Sequence, residues 1–460
     1  MLLKRKIQDE LAEWKKMSDG RSALLVEGAR RVGKSTAVEA FGKEAYRSYI
    51  LIDFEKASRA IRENFENNLS DLDTFFQVIS LEYQTRLYRR GSLIIFDEVQ
   101  KFPKAREAIK YLVADGRYDF IETGSLISIK ENVENIVIPS EEDKVFMHPL
   151  DFEEFAWALN EDLLLEYIDD CWQHRIALES SIHQRASRLF YEYMLVGGMP
   201  QSVLAYRGND KSFFEADKAK RRILSLYRDD IGKAARRYRS KVSAVFEGIP
   251  GFLSTHEKKV VLSKIDEGKT FDQYDDPLFW LGDSMICNTC YKCTDPNVGL
   301  ALNRDDSSVK CYMGDTGLLV SLAFSENEAT SSDLYRRIMS GKLSLNKGML
   351  YENVIAQMLT AKGKKLYFYT HYSVEKHRND IEMDFLVSNE SAVSYRVSPI
   401  EVKSSKNYTT TSYSAFKTRF GKRIGDSYIV HPKTFQIDEG EYKIPAYMFF
   451  CLFREETHAN

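Results

Sequence analysis

Eight residues constrain this chain more than any other stretch. Gly28-Ala29-Arg30-Arg31-Val32-Gly33-Lys34-Ser35 fits the spacing G-x-x-x-x-G-K-[ST]. Glycines at these places let the backbone turn successive amide groups inward on a polyphosphate. The helix expected to follow, entered through Thr36, adds its positive N-terminal end. Lys34 would reach the β- and γ-phosphates, and the Ser35 hydroxyl would complete the coordination of Mg2+. The apolar run Ala23–Glu27 precedes the loop. A strand before it and a helix after it separate a phosphate loop from a chance match.

Three further short apolar runs, Tyr49–Phe54, Ser92–Phe96 and Tyr118–Thr123, alternate with amphipathic stretches. This pattern predicts an α/β domain with a parallel sheet buried on both faces. The run Ser92–Phe96 ends in Asp97 and Glu98, which places two carboxylates at the sheet edge beside the loop. Asp97 would hold Mg2+ through water, and Glu98 would orient and deprotonate an attacking water. A solvated acidic pair at a strand end is the plain alternative. Thr123 and Ser125, flanking Gly124, end the fourth strand and could contact the γ-phosphate or the water; a simple turn is the alternative there.

An acidic pair on a strand separate from the loop strand resembles the AAA-type ATPase superfamily. Two more stretches, M-H-P-L-D-F-E-E-F at 147–155 and V-G-G-M-P at 196–200, resemble a prokaryotic family that joins an AAA-type ATPase domain to a C-terminal domain of unknown function. The resemblance covers nearly the whole chain and implies ATP as ligand, with Mg2+. One departure stands out. Relatives often carry Arg in the segment just before the M-x-P-x-x-F-E-E-F run, whereas this chain has Glu142-Asp143-Lys144. Lysine cannot reproduce the planar guanidinium fork, so an arginine acting in trans is unassigned, with Arg117 a weak candidate.

The chain has 460 residues, enough for about three domains. The divisions expected are an AAA-type P-loop core at 1–150, a helical lid at 151–215, a winged-helix-like segment at 216–335 and a second α/β unit at 336–460. The last contains Glu352 on an expected helix, Asp384 within I-E-M-D-F-L-V, and Glu401 and Lys403 within S-P-I-E-V-K-S. Alternation puts Glu401 and Lys403 on one strand face. If their strands are neighbours, Asp384 and Glu401 could share a divalent metal beside the Lys403 ammonium. That metal would generate a hydroxide and neutralise a phosphodiester. The D-x(n)-E-x-K logic resembles the restriction-endonuclease-like, or PD-(D/E)xK, superfamily over residues 348–435. Such folds also serve as inactive binding modules, and the alternative is a salt-bridged sheet edge.

The formal net charge is −3, yet ten basic and only two acidic residues fall between 218 and 241. Arg221, Arg222, Arg236, Arg237 and Arg239 in this stripe could track a phosphate backbone, or form a solvated helix face. Tyr227 and Tyr238 would meet sugars or bases, or pack inward. Cys287, Cys290, Cys293 and Cys311 have a metal-like spacing, but strand alternation sends Cys290 to the opposite face from Cys287 and Cys293. Six cysteines, 43% hydrophobic residues and no long apolar run predict a folded cytoplasmic protein without a membrane span. The expected function is Mg2+-dependent ATP hydrolysis that positions a DNA-binding, nuclease-like C-terminal half, with homo-oligomers possible. The alternative is a nucleotide switch whose nuclease-like module is inactive.

Overall fold

The computed structural model describes residues 2–124, 140–234, 238–261, 274–297, 299–325, 332–339, 346–375, 377–391, 394–438 and 440–453. The chain divides into two compact units: Met1–His148 with Asp283–Met285, and Pro149–Gly282 with Ile286–Asn460.

In the first unit, five strands form one sheet: β1 (Ala23–Glu27), β2 (Ser48–Asp53), β3 (Ser92–Asp97), β4 (Asp119–Gly124) and β5 (Glu142–Phe146). Their order is β2-β3-β4-β1-β5, and every pairing is parallel. The four apolar strands lie within one residue of the expected positions, because burial on both faces requires continuous apolar runs. The fifth, E-D-K-V-F, is an edge strand with charged residues facing out, so its composition hides it. It carries the segment Glu142-Asp143-Lys144. Glu142 turns inward and receives two hydrogen bonds from Arg106, at 2.8 and 2.7 Å.

Helices Arg59–Asn67 and Pro103–Asp115 cover one sheet face. Phe54, Phe65, Phe75, Phe96 and Phe102 form a continuous aromatic cluster there, with ring centroids 5.0 to 5.7 Å apart. Helix Lys34–Ala45 connects β1 to β2. The functional consequence of the strand order is local: β4 separates β1 from β3, so Thr123 stands between the phosphate loop and Asp97.

The second unit has an eight-stranded sheet, order β12-β13-β11-β10-β9-β8-β6-β7. Its members are β6 (Cys287–Cys293), β7 (Arg304–Met313), β8 (Leu366–Ser373), β9 (Arg378–Ser391), β10 (Ser394–Val402), β11 (Ser427–His431), β12 (Gln436–Asp438) and β13 (Glu441–Pro445). Strands β8, β9 and β10 form an antiparallel meander; helix Thr411–Phe420 then crosses to β11, which lies parallel to β10.

Two expectations need revision. The β6–β7 hairpin, read as a wing inside 216–335, pairs through β6 with β8 and extends the C-terminal sheet. Cys287, Cys290 and Cys293 are all buried, so an exposed wing would leave apolar surface uncovered. The helices read as a lid also pack within this unit. Trp172 meets Phe435, Phe152 meets Phe450, and His183 Nδ1 lies 2.8 Å from the Tyr447 hydroxyl.

V-G-G-M-P marks a close crossing. Leu150 N–H donates to Gly198 O at 2.7 Å, and Gly198 N–H donates to the buried Asp315 carboxylate at 2.5 Å. A Cβ on Gly198 would lie 2.1 Å from the Leu150 carbonyl oxygen, so only glycine fits this approach.

Candidate functional site

The phosphate loop occupies the turn between β1 and helix Lys34–Ala45. Arg31 (φ +72°) and Gly33 (φ +99°) adopt left-handed backbone conformations, which turn the chain sharply over the helix start. A Cβ on Gly28 would come within 2.4 Å of Met147 O, which accounts for the first glycine of the motif. Lys34 is buried. Its ammonium donates to the carbonyls of Gly28 at 2.8 Å and Ala29 at 3.1 Å. Burial lowers its pKa to about 8, against the opposing pull of Glu98 and Asp97.

At the end of β3, Asp97 Oδ1 accepts from the Ser35 hydroxyl at 2.7 Å and also from the Thr123 hydroxyl. Hydroxyl and carboxylate thus stand together beside Lys34, a hard oxygen donor set suited to Mg2+. Glu98 has φ +56°, which turns the chain immediately after the strand. Its N–H lies 3.5 Å from Thr123 Oγ1, and its carboxylate accepts from Gln100 Nε2. The structure therefore brings Lys34, Ser35, Asp97, Glu98 and Thr123 together, whereas Ser125 lies outside the described residues.

Two residues of this site escaped the sequence reading. Gln100 follows the acidic pair closely enough to be noticed, but nothing in its identity announces a contact to Glu98. Arg5 is 143 residues from one of its partners and gives no local signal. Its guanidinium donates to Val32 O at 2.9 Å and to His148 O at 2.7 Å, tying the loop to the chain after β5. Arg117 is held by Asp115 and Asp73, both at 2.6 Å, and lies over the Phe76 ring.

The C-terminal carboxylates are arranged differently from the expectation. The register aligns Ile400 with Phe385. However, β9 advances three residues, Met383 to Leu386, while β8 advances two, Tyr369 to Tyr367. This bulge rotates Asp384 away from Glu401. Asp384 Oδ1 lies 3.8 Å from Lys310 Nζ, and Oδ2 accepts the Val402 N–H at 2.8 Å. Glu401 accepts from Lys403 at 2.6 Å on the face that Val397 shares with Met383 and Phe416. Glu352 joins Lys258, Lys310 and Tyr312 instead. Among the described residues, no three His, Cys, Asp or Glu side chains are placed to hold a metal ion. The donor set required for a metal shared by Asp384 and Glu401 does not fit. Lys258, Lys310 and Tyr312 were missed because they lie 94, 42 and 40 residues before Glu352 and match no motif.

The four cysteines do not converge on one point: Cys287 and Cys311 meet each other across the β6–β7 hairpin. Cys290 lies near Lys310, while Cys293 packs in the cluster with Met383 and Phe416.

The basic segment is partly consumed by the fold. Lys220 is wholly buried and donates to Leu195 O at 2.6 Å. Arg221 donates to buried Asp217 at 2.6 Å and to Phe324 O at 2.9 Å. Arg228 pairs with Glu247, and Tyr227 is buried. Arg222 and Arg239 are exposed, while Arg236 and Arg237 lie outside the described residues.

Residues 20–156 match the family described as AAA domain. Residues 187–329 and 347–449 match two domains of unknown function, DUF8612 and DUF4143. No curated protein matches. Among solved structures, the Aeropyrum pernix ORC1 protein in complex with DNA is 13% identical, covering 71% of this chain and 93% of that one, at TM-score 0.29. AMPPCP-bound DnaA from Aquifex aeolicus is also 13% identical, covering 61% and 81%, at TM-score 0.27. The family match and the parallel sheet around the loop make the first unit an AAA-type P-loop domain. No described helix is long and apolar enough to cross a membrane.

Proposed function

We propose that this protein binds and hydrolyses ATP with Mg2+, and that its nucleotide state controls a DNA-binding C-terminal half. The observation that carries the reading is the convergence of Ser35, Asp97 and Thr123 beside Lys34. Ser35 and Asp97 would hold Mg2+, which when bound neutralises charge on the β- and γ-phosphates. Lys34 exchanges the carbonyls of Gly28 and Ala29 for phosphate oxygens and supplies a positive charge to them. Glu98 orients the attacking water and accepts its proton. Gln100 fixes the direction of the Glu98 carboxylate, and the Thr123 hydroxyl fixes Asp97. Because Arg117 is engaged by two carboxylates, any arginine that completes the site comes from a second copy or from another segment.

For DNA, the supporting observation is the exposure of Arg222 and Arg239 within the basic segment. The test is ATP turnover titrated with DNA and RNA at low and high salt. Stimulation that collapses with salt identifies a nucleic-acid partner. Lys34→Ala abolishes turnover, and Glu98→Gln traps bound ATP. Normal turnover in both variants refutes the site.

A second reading is a nucleotide switch whose nuclease-like module does not cleave. It is favoured by the separate partners of Asp384 and Glu401. Single-turnover rates with and without DNA separate the two.

A further inference from the structure

A buried lysine stands between Glu352 and Asp384, two of the carboxylates that the restriction-endonuclease-like resemblance singles out. Lys310, on β7, is wholly buried, and its Nζ has no hydrogen-bond partner. It lies 3.6 Å from Glu352 Oε2 and 3.8 Å from Asp384 Oδ1. These distances are too long for hydrogen bonds and short enough for strong attraction in a dry interior. The ammonium is thus suspended between two carboxylates, with the Phe368 ring centroid 5.1 Å away.

The remaining oxygens are also occupied. Glu352 Oε1 pairs with Lys258, and Oε2 additionally accepts from the Tyr312 hydroxyl at 3.1 Å. Asp384 Oδ2 accepts the Val402 N–H. Two lysines therefore balance two carboxylates. A divalent ion entering here would displace Lys310 into an apolar wall or add two positive charges to a balanced, buried group.

We propose that Lys310 is the built-in cation of the C-terminal unit, so that Glu352 and Asp384 bind no divalent metal and this unit does not cut nucleic acid by metal-dependent hydrolysis. The hairpin that supplies Lys310 is the β6–β7 element joined to the sheet through β8, which explains why one more strand pair is built onto the meander. The proposal does not depend on ATP hydrolysis at the phosphate loop, and its failure leaves that reading intact.

The test uses the full chain without nucleotide, in an Asp97→Asn background that removes the phosphate-loop metal ligand. Mn2+ is the probe, and free Mn2+ is read by electron paramagnetic resonance. The parent binds none. Lys310→Ala gains one Mn2+ per chain, and the gain disappears when Asp384→Asn is added. A folded Lys310→Ala that binds no Mn2+ overturns the proposal. So does a parent that binds Mn2+ and loses it with Asp384→Asn. If Lys310→Ala does not fold, the parent compared with Asp384→Asn decides, together with Mn2+-dependent DNA cleavage in protein with an intact loop. Cleavage lost in Asp384→Asn refutes the assignment; absence of Asp384-dependent binding and cleavage supports it.

Discussion

Arg221 and Arg222 are neighbours in sequence and offer a direct comparison. The Arg221 guanidinium donates through Nε to Asp217 Oδ2 at 2.6 Å and through Nη2 to Phe324 O at 2.9 Å. Asp217 is wholly buried and also accepts from Ser321 at 2.6 Å and Tyr335 at 2.9 Å. Arg221→Ala removes one bond to a charged group and one to a carbonyl, together worth about 3 kcal/mol. The two remaining hydroxyl donors keep Asp217 partly satisfied, which holds the loss below the upper limit for a broken buried ion pair, roughly 5 kcal/mol. Arg222→Ala removes an exposed side chain and changes stability by less than about 0.5 kcal/mol. Urea unfolding followed by intrinsic fluorescence measures the first effect. Fluorescence anisotropy with labelled DNA at several salt concentrations measures the second: Arg222→Ala lowers the salt slope by about one, and Arg221→Ala leaves it unchanged. The reasoning fails if Arg221→Ala retains parental stability while losing DNA affinity.

Three further outcomes are expected. Gly198→Ala forces the Leu150 carbonyl away from a Cβ placed at 2.1 Å, costing about 3 kcal/mol in chemical denaturation; an unchanged midpoint contradicts the crossing. Thr123→Val keeps its volume but removes the hydroxyl that donates to Asp97. ATP turnover should fall by at least about tenfold with little change in nucleotide affinity, and equal losses in both would contradict a positioning role. Burial lowers the His431 pKa to about 4, with Nδ1 2.8 Å from the Tyr408 hydroxyl and Nε2 3.2 Å from Thr434 O. The unfolded chain, with histidine near 6.5, takes up the proton first as pH falls. This contribution is complete above pH 6.5 and is lost toward pH 4, about 3 kcal/mol in all. His431→Gln flattens that part of the stability–pH curve, and an unaltered curve contradicts the assignment.

The phosphate loop was legible because its chemistry is local. Backbone angles, the lysine and the hydroxyl all come from eight consecutive residues. The run ending in Asp97 and Glu98 was legible for a similar reason, since a buried parallel strand must be apolar and its polar end must lie at the sheet edge. Strand β5 was not legible, because an edge strand with outward charges carries no apolar period. Arg5 and Gln100 were invisible as site residues, since a contact to a backbone carbonyl or another side chain leaves no constraint on neighbouring positions.

The sequence by itself determined the AAA-type P-loop domain, the residues of its loop and a separate α/β unit at the C-terminal end. Tertiary structure alone decided which carboxylates meet. A bulge in β9 turns Asp384 from Glu401 toward Glu352, and a hairpin that the sequence presents as a wing brings Lys310 between them. The basic stripe was decided in the same way: its composition and the i,i+4 spacing of Asp217 and Arg221 are plain in the sequence, but the burial of Lys220 and Asp217 against Tyr335 depends on a helix more than 100 residues away. Periodicity reports which face of an element is apolar. It does not report the register shift or the distant partner that sets where a single charge comes to rest.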